Sequence, residues 1–221
     1  MDFLSSHLLS VILFFPVFAA ILFLFLPKGE DKLVRWTALI ASLVPFVLTL
    51  VLWSNFDANA SATFQFEENY IWYETINSNF HIGVDGISLS MVLLTTLLTP
   101  LAILASFSVK EKVKAYMMLF LFLEMGMLGV FMAMDLLIFF VFWEIGLVPM
   151  YFLINQWGSV NRDYASLKFM IYTVGGSLGL LLAIQLLGVL FGTYDLAEIV
   201  AGWNALDGSA IKMGIEVSTI K

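Results

Sequence analysis

Cysteine is absent from the 221 residues, which excludes disulfides and thiolate metal sites. Charge is scarce as well, with Asp, Glu, Lys and Arg making up only 12% of the chain. A soluble domain of this length needs far more polar surface. Basic residues are the scarcer kind, 10 against 17 acidic, for a net charge of −7. That balance argues against a nucleic-acid partner, which asks for a basic surface. What fills the chain instead is apolar: hydrophobic residues are 61% of it and the mean hydropathy is +0.97. Long uncharged runs rich in Phe and Leu predict an all-α fold, a polytopic bundle of membrane-spanning helices in contact with the lipid bilayer.

Six spans follow one another, at 3–26, 34–53, 86–107, 115–133, 136–156 and 165–191. Each is near the ~20 residues that cross ~30 Å of hydrocarbon. The first run is too long for a signal-peptide core and carries Asp2 with no Lys or Arg before it, so it reads as a retained helix. Residues 1–192 thus form the membrane region, and 193–221 read as a polar tail, truncated or disordered. Only Ala133-Met134-Asp135 joins spans four and five, which makes them a tight helical hairpin with Asp135 as its polar turn and cap. Lys28, Lys32 and Arg35, then Lys110, Lys112 and Lys114, then Arg162 all fall in loops on one side. The positive-inside rule makes that side cytoplasmic and puts the N-terminus and the acidic 54–85 loop outside. Asp85 is placed to cap span three, within a turn at Gly83-Val84-Asp85-Gly86. His81 reads as a loop residue without a second histidine near enough for a metal pair. Gly175, Gly176 and Gly179 predict close helix packing in span six.

The chemistry sits where charge is costly. In FFVFWEIGLVPMYFL, residues 139–153, Glu144 has no polar neighbour within four residues. Ionisable groups inside a bilayer face protein or water and mark ion or proton paths; the plainer alternative is a neutral glutamate held for packing. Pro149 removes the backbone donor that would bond the Ile145 carbonyl, loosening the turn next to Glu144. Glu124, in LFLEMGML, is the second buried carboxylate. Counted from the hairpin turn, both lie about 15 Å from its end, at matching depth on antiparallel helices. If they face each other, like charges in low dielectric raise the proton affinity of at least one. Lys168 lies about one turn into span six, about 12 Å shallower than Glu144, and either snorkels to the surface or reaches the Glu144 region through water.

The stretch DLLIFFVFWEIGLVPMYFLINQWG, residues 135–158, closely resembles the fifth-helix signature of the antiporter-like proton-pumping subunits of NADH:quinone oxidoreductase, respiratory complex I, and within them subunit M, or chain 4. FHIGVDGISLSMVLLTTLLTPLAILASF before it and SLKFMIYTVGGSL after it add to the resemblance. Multisubunit sodium/proton antiporters and membrane-bound hydrogenases are looser relatives. The resemblance implies that Glu144 is the proton-channel carboxylate, with Glu124 and Lys168 supporting the path. It implies as partners the other membrane-arm subunits, neighbouring antiporter-like subunits among them, and a bacterial inner membrane as the location. It implies no cofactor in this chain, with NADH, FMN, iron–sulfur clusters and quinone bound by other subunits. In such subunits the glutamate works with lysines on a broken seventh helix and on the eighth, and with a charged residue on the twelfth. This chain has about six spans, and Lys212 and Lys221 in its tail match none of those lysines, so the chain resembles the N-terminal portion of subunit M.

Overall fold

A computed structural model describes residues 7–25, 27 and 29–205, together with the backbone of 211–212 and 215–216. Lys28, Lys221 and the side chain of Lys212 lie outside the described residues, as do 206–210, 213–214 and 217–221 of the tail. Six long helices carry the fold: α1 Leu8–Leu22, extended by a 3-10 turn Phe23–Phe25, α2 Asp31–Asn55, α3 Gly86–Ala105, α4 Val113–Met132, α5 Leu136–Trp157 and α6 Arg162–Phe191. All six are long and apolar enough to cross a membrane, at the positions the hydropathy pattern predicts to within a few residues. A short helix, α7, spans Leu196–Asn204, so part of the segment read as tail is ordered, and two short strands, β3 Ile211–Lys212 and β4 Ile215–Glu216, pair beyond it.

The acidic loop departs from the all-helical expectation. It forms an antiparallel hairpin of β1 Gln65–Tyr73 and β2 Ser78–Val84, with Glu68 opposite Ile82 and Tyr70 opposite Phe80. Gly83 and Val84, read as turn residues, belong to β2. Asn77 makes the connection with a left-handed backbone, φ 54°, which asparagine tolerates better than most residues. The hairpin lies at the end where α1 begins, α2 ends and α4 turns into α5, called here the hairpin face. Lys32, Arg35, Lys110, Lys112, Lys114 and Arg162 all fall at the opposite, basic face.

Aspartates start three of the helices. Asp85 accepts from the Ile87 and Ser88 backbones at the head of α3, and Ser88 Oγ accepts from the Asp85 N–H, a reciprocal capping box. Asp135 caps α5 through the Leu137 and Ile138 N–H groups, and Asp195 caps α7 through Ala197 and Glu198. Removing such a cap costs about 1 kcal/mol.

α4 is the centre of the bundle, packed against α1, α2, α3 and α5, while α6 leans mainly on α5. In lipid the helices associate by close packing rather than by leaving water, so small residues mark the contacts. A Cβ built on Gly126 of α4 would stand 2.9 Å from Gly146 Cα of α5, and one on Gly129 would enter the Phe142 ring. Buried Ala19, Ala20, Ala38 and Ala41 serve the α1–α2 crossing in the same way. A Cβ at Gly175, Gly176 or Gly179 would meet nothing within 4 Å, so the close packing expected of span six is not made within this chain.

Candidate functional site

The Gly126–Gly146 contact sets the register between α4 and α5. Glu124 is two residues from Gly126 toward the basic face, and Glu144 two residues from Gly146 toward the hairpin face. Their positions along the bundle therefore differ by about four residues, or about 6 Å. The same contact decides their rotation. Two residues along a helix turn a side chain through about 200°, so each carboxylate points away from the seam where its helix touches the other. The two acids share a layer of the membrane but occupy opposite sides of the α4–α5 pair.

Glu144 faces the side of α5 that α4 leaves open. It is half-buried, and its Oε1 is buried with no hydrogen-bond partner. Pro149 is buried one turn further on and has no N–H for the Ile145 carbonyl. An acid with an idle oxygen next to a freed carbonyl offers attachment points for water or for a basic side chain. Glu124 is the opposite case: it is 0% exposed, and both carboxylate oxygens are buried without a donor. Lys168 is exposed on α6, with its Nζ 5.4 Å from the Tyr164 ring centroid and 5.8 Å from that of Tyr172. It makes no ion pair with Glu144; its contacts are with two tyrosines of its own helix.

At the hairpin face the structure assembles a network that the linear pattern does not announce. His81 is not in a loop but buried in β2, with Nδ1 2.5 Å from Asp195 Oδ2 and Nε2 3.2 Å from Glu67 Oε2. The imidazole thus bridges the two carboxylates, one at each ring nitrogen. Asp135 takes the Ser78 hydroxyl at 3.1 Å and the Asn79 N–H at 3.0 Å while capping α5. Glu68, also buried, accepts the Ser10 N–H at 3.0 Å and its hydroxyl at 2.5 Å, supplying from the hairpin an acceptor for the first turn of α1. Beside it the Tyr70 hydroxyl is held above its ordinary pKa, by desolvation first and by Glu68 second. The hairpin thus ties together the starts of α1, α5 and α7. The aromatic and β-branched run Tyr70-Ile71-Trp72-Tyr73 was the available signal for a strand. Nothing in the sequence paired His81 with a residue 114 positions away. Among the described residues, no group of three His, Asp or Glu side chains is arranged to hold a metal ion.

Six helices long and apolar enough to cross a membrane, with a half-buried acid on a proline-bearing fifth helix, define a polytopic membrane-bundle class. The model of the family described as NADH-ubiquinone oxidoreductase chain 4, amino terminus, matches residues 8–135. That of NADH:quinone oxidoreductase/Mrp antiporter, TM, matches 133–220. The chain belongs to the NADH-ubiquinone oxidoreductase chain 4 family. It is 40% identical to NADH-quinone oxidoreductase subunit M of Rhodobacter capsulatus, over 92% of this chain and 42% of that protein. It is 44% identical to NADH-ubiquinone oxidoreductase chain 4 of Arabidopsis thaliana, over 85% of this chain and 38% of that protein. A chain in the structure of respiratory complex I from Thermus thermophilus with bound NADH superposes with a TM-score of 0.75 at 25% identity, over 87% of this chain and 39% of that one. The chain thus spans less than half the length of these relatives.

Proposed function

We propose that this chain supplies the first six helices of a membrane-arm subunit of a proton-translocating NADH:quinone oxidoreductase, and that Glu144 is the acidic member of its proton channel. The observation that carries this reading is the half-buried Glu144, with an unpartnered oxygen beside Pro149, inside a chain matched end to end by the two family models. Glu144 turns to the open side of α5, where helices absent from this chain would bring a basic partner that sets its proton affinity. Glu124 supports the path from the other side of α4. Lys168 serves at most near the basic face, where its tyrosine contacts hold it. NADH, FMN, iron–sulfur clusters and quinone belong to other subunits, and neighbouring antiporter-like subunits are the lateral partners. The host membrane is a bacterial inner membrane, with the basic face cytoplasmic. A cation/proton antiporter subunit is the second reading, favoured by the Mrp antiporter named in the family description for 133–220. Quinone-module and NADH-module genes beside this one separate the two, since an antiporter has neither.

The decisive test places Glu144→Gln in a complete, assembled complex. The substitution keeps the shape and removes the titrating group, and proton pumping should fall by at least about 100-fold, the low end of what a positioned proton-transfer group contributes. Glu144→Asp should lose less, and Glu124→Gln should be milder. A native gel establishes assembly first. Normal pumping in an assembled Glu144→Gln complex would leave Glu144 as a packing residue.

A further inference from the structure

The buried stripe of each of the first four helices is interrupted at mid-membrane, and the interruptions coincide. The apolar core consists of two separate clusters. One lies toward the hairpin face and includes Leu9, Ile12, Leu52, Val92 and Leu128. The other lies toward the basic face and includes Ala20, Ala38, Ile103, Met117 and Leu121. Between them the buried positions are Pro16 on α1, Ser42, Pro45 and Thr49 on α2, Thr95, Thr96, Thr99 and Pro100 on α3, and Glu124 on α4. Counted from the hairpin-face ends at ~1.5 Å per residue, Thr49 lies about 9 Å in, Pro16 and Glu124 about 12 Å, and Pro45 and Thr96 about 15 Å. Thr99 and Ser42, about 20 Å in, close the layer on the basic side.

This layer is rich in oxygen and poor in donors. Each buried hydroxyl already donates to a backbone carbonyl of its own helix: Ser42 to Leu39, Thr49 to Pro45, Thr95 to Met91, Thr96 to Val92 and Thr99 to Thr95. The lone pairs of these hydroxyls remain as acceptors. The three prolines leave the carbonyls of Ile12, Ala41 and Thr96 without their helical N–H partners. Both Glu124 oxygens are idle. An ionised carboxylate here has neither a donor nor a counter-charge. Residues 8–22, 37–55 and 86–105 contain no charged side chain, and Glu144 points to the far side of α5's contact with α4. Arg35 and Tyr116, nearer the basic face, are bonded to the Val109 carbonyl and to Ser106. Donors for so many acceptors come most simply from protons and water, and a buried water asks for two to four polar partners.

We infer that Glu124 and the buried Ser42, Thr49, Thr96 and Thr99 of the same layer form a second proton-holding site, hydrated and separate from Glu144, within the first four helices. It deepens the reading of Glu124 as support for a proton path, and rests on it, but does not depend on Glu144 being the channel acid. The ligand is one proton on the Glu124 carboxyl, exchanged with water that the hydroxyls and freed carbonyls hold.

Infrared spectroscopy of the chain in lipid nanodiscs reads this directly. The wild-type chain should show a carboxylic-acid C=O band that moves when H2O is replaced by D2O. Glu124→Gln should remove it and Glu144→Gln should leave it. Thr96→Val with Thr49→Val keeps volume and removes two water acceptors, and should slow the exchange at least tenfold. Dicyclohexylcarbodiimide, which couples to protonated carboxyls in apolar surroundings, should label Glu124 in the unsubstituted chain, mapped by mass spectrometry, so the result does not depend on a variant folding. A wild-type band that ignores D2O, exchange unchanged in the threonine variant, or an unlabelled Glu124 would overturn the site. None of these outcomes bears on pumping by Glu144, which is read in the assembled complex.

Discussion

His81 shows how much a single buried side chain can hold. Its two ring nitrogens engage Glu67 from the neighbouring strand and Asp195 from the segment after α6, joining parts of the chain 14 and 114 residues away. His81→Ala would leave the shielded Asp195 oxygen without its ring partner, a loss of about 1–3 kcal/mol, while the exposed Glu67 turns to water. The expected outcome is local: faster backbone hydrogen exchange across 65–84 and at the start of α7, with the α4–α5 pair unchanged. Exchange unaltered in the hairpin would show that β1–β2 pairing alone holds it. Asp195 caps α7 with one oxygen and meets His81 with the other, while Asp135 Oδ1 both caps α5 and accepts the Ser78 hydroxyl and Oδ2 accepts the Asn79 N–H, so truncating either removes two functions together.

Among the elements, α4 and α5 form the tightest pair and α6 the loosest. Gly126 admits no Cβ, because the atom it would strike is the Gly146 backbone, which cannot rotate aside. Gly126→Ala should therefore cost about 1–3 kcal/mol, the usual penalty for overpacking. Gly175→Ala meets open space, and alanine's better helix propensity makes it neutral or up to about 1 kcal/mol stabilising in this chain. Thermal unfolding of the two variants in the same detergent compares them, and equal midpoints would remove the glycine seam as the source of α4–α5 register. Because that seam also orients Glu124 and Glu144, Gly126→Ala tests the element that sets the site.

For the whole molecule, the distribution of charge is the main prediction. The described Lys and Arg side chains other than Lys168 gather at one face, and the hairpin with Asp57, Glu67, Glu68 and Glu74 stands at the other. The hairpin face should lie outside. A cysteine introduced at exposed Asn59, the chain having none of its own, should react with an impermeant thiol reagent from the outer side of sealed cells. Reaction only from the cytoplasmic side would invert the map and the direction of the proton path. The outer side of α6 carries exposed Tyr172, Leu182 and Val189.

The linear order of residues by itself determined the number, order and limits of the six long helices, the two mid-membrane acids and the caps at Asp85 and Asp135. Hydropathy, caps and charge are properties of neighbours along the chain, and a span declares itself without its partners. The strands were only faintly legible, because most β1 side chains are exposed and a hairpin edge carries a weak alternation signal. Only the tertiary structure decided the rotation of α4 and α5. Counting placed Glu124 and Glu144 at one depth, but their offset of about 6 Å and the direction of each depend on which glycines and which ring meet across the seam. The union of His81 with Asp195 and with Glu67 likewise required the fold. The seam and the His81 network join residues from about 14 to 114 positions apart, and packing between elements, not any local pattern, brings them together.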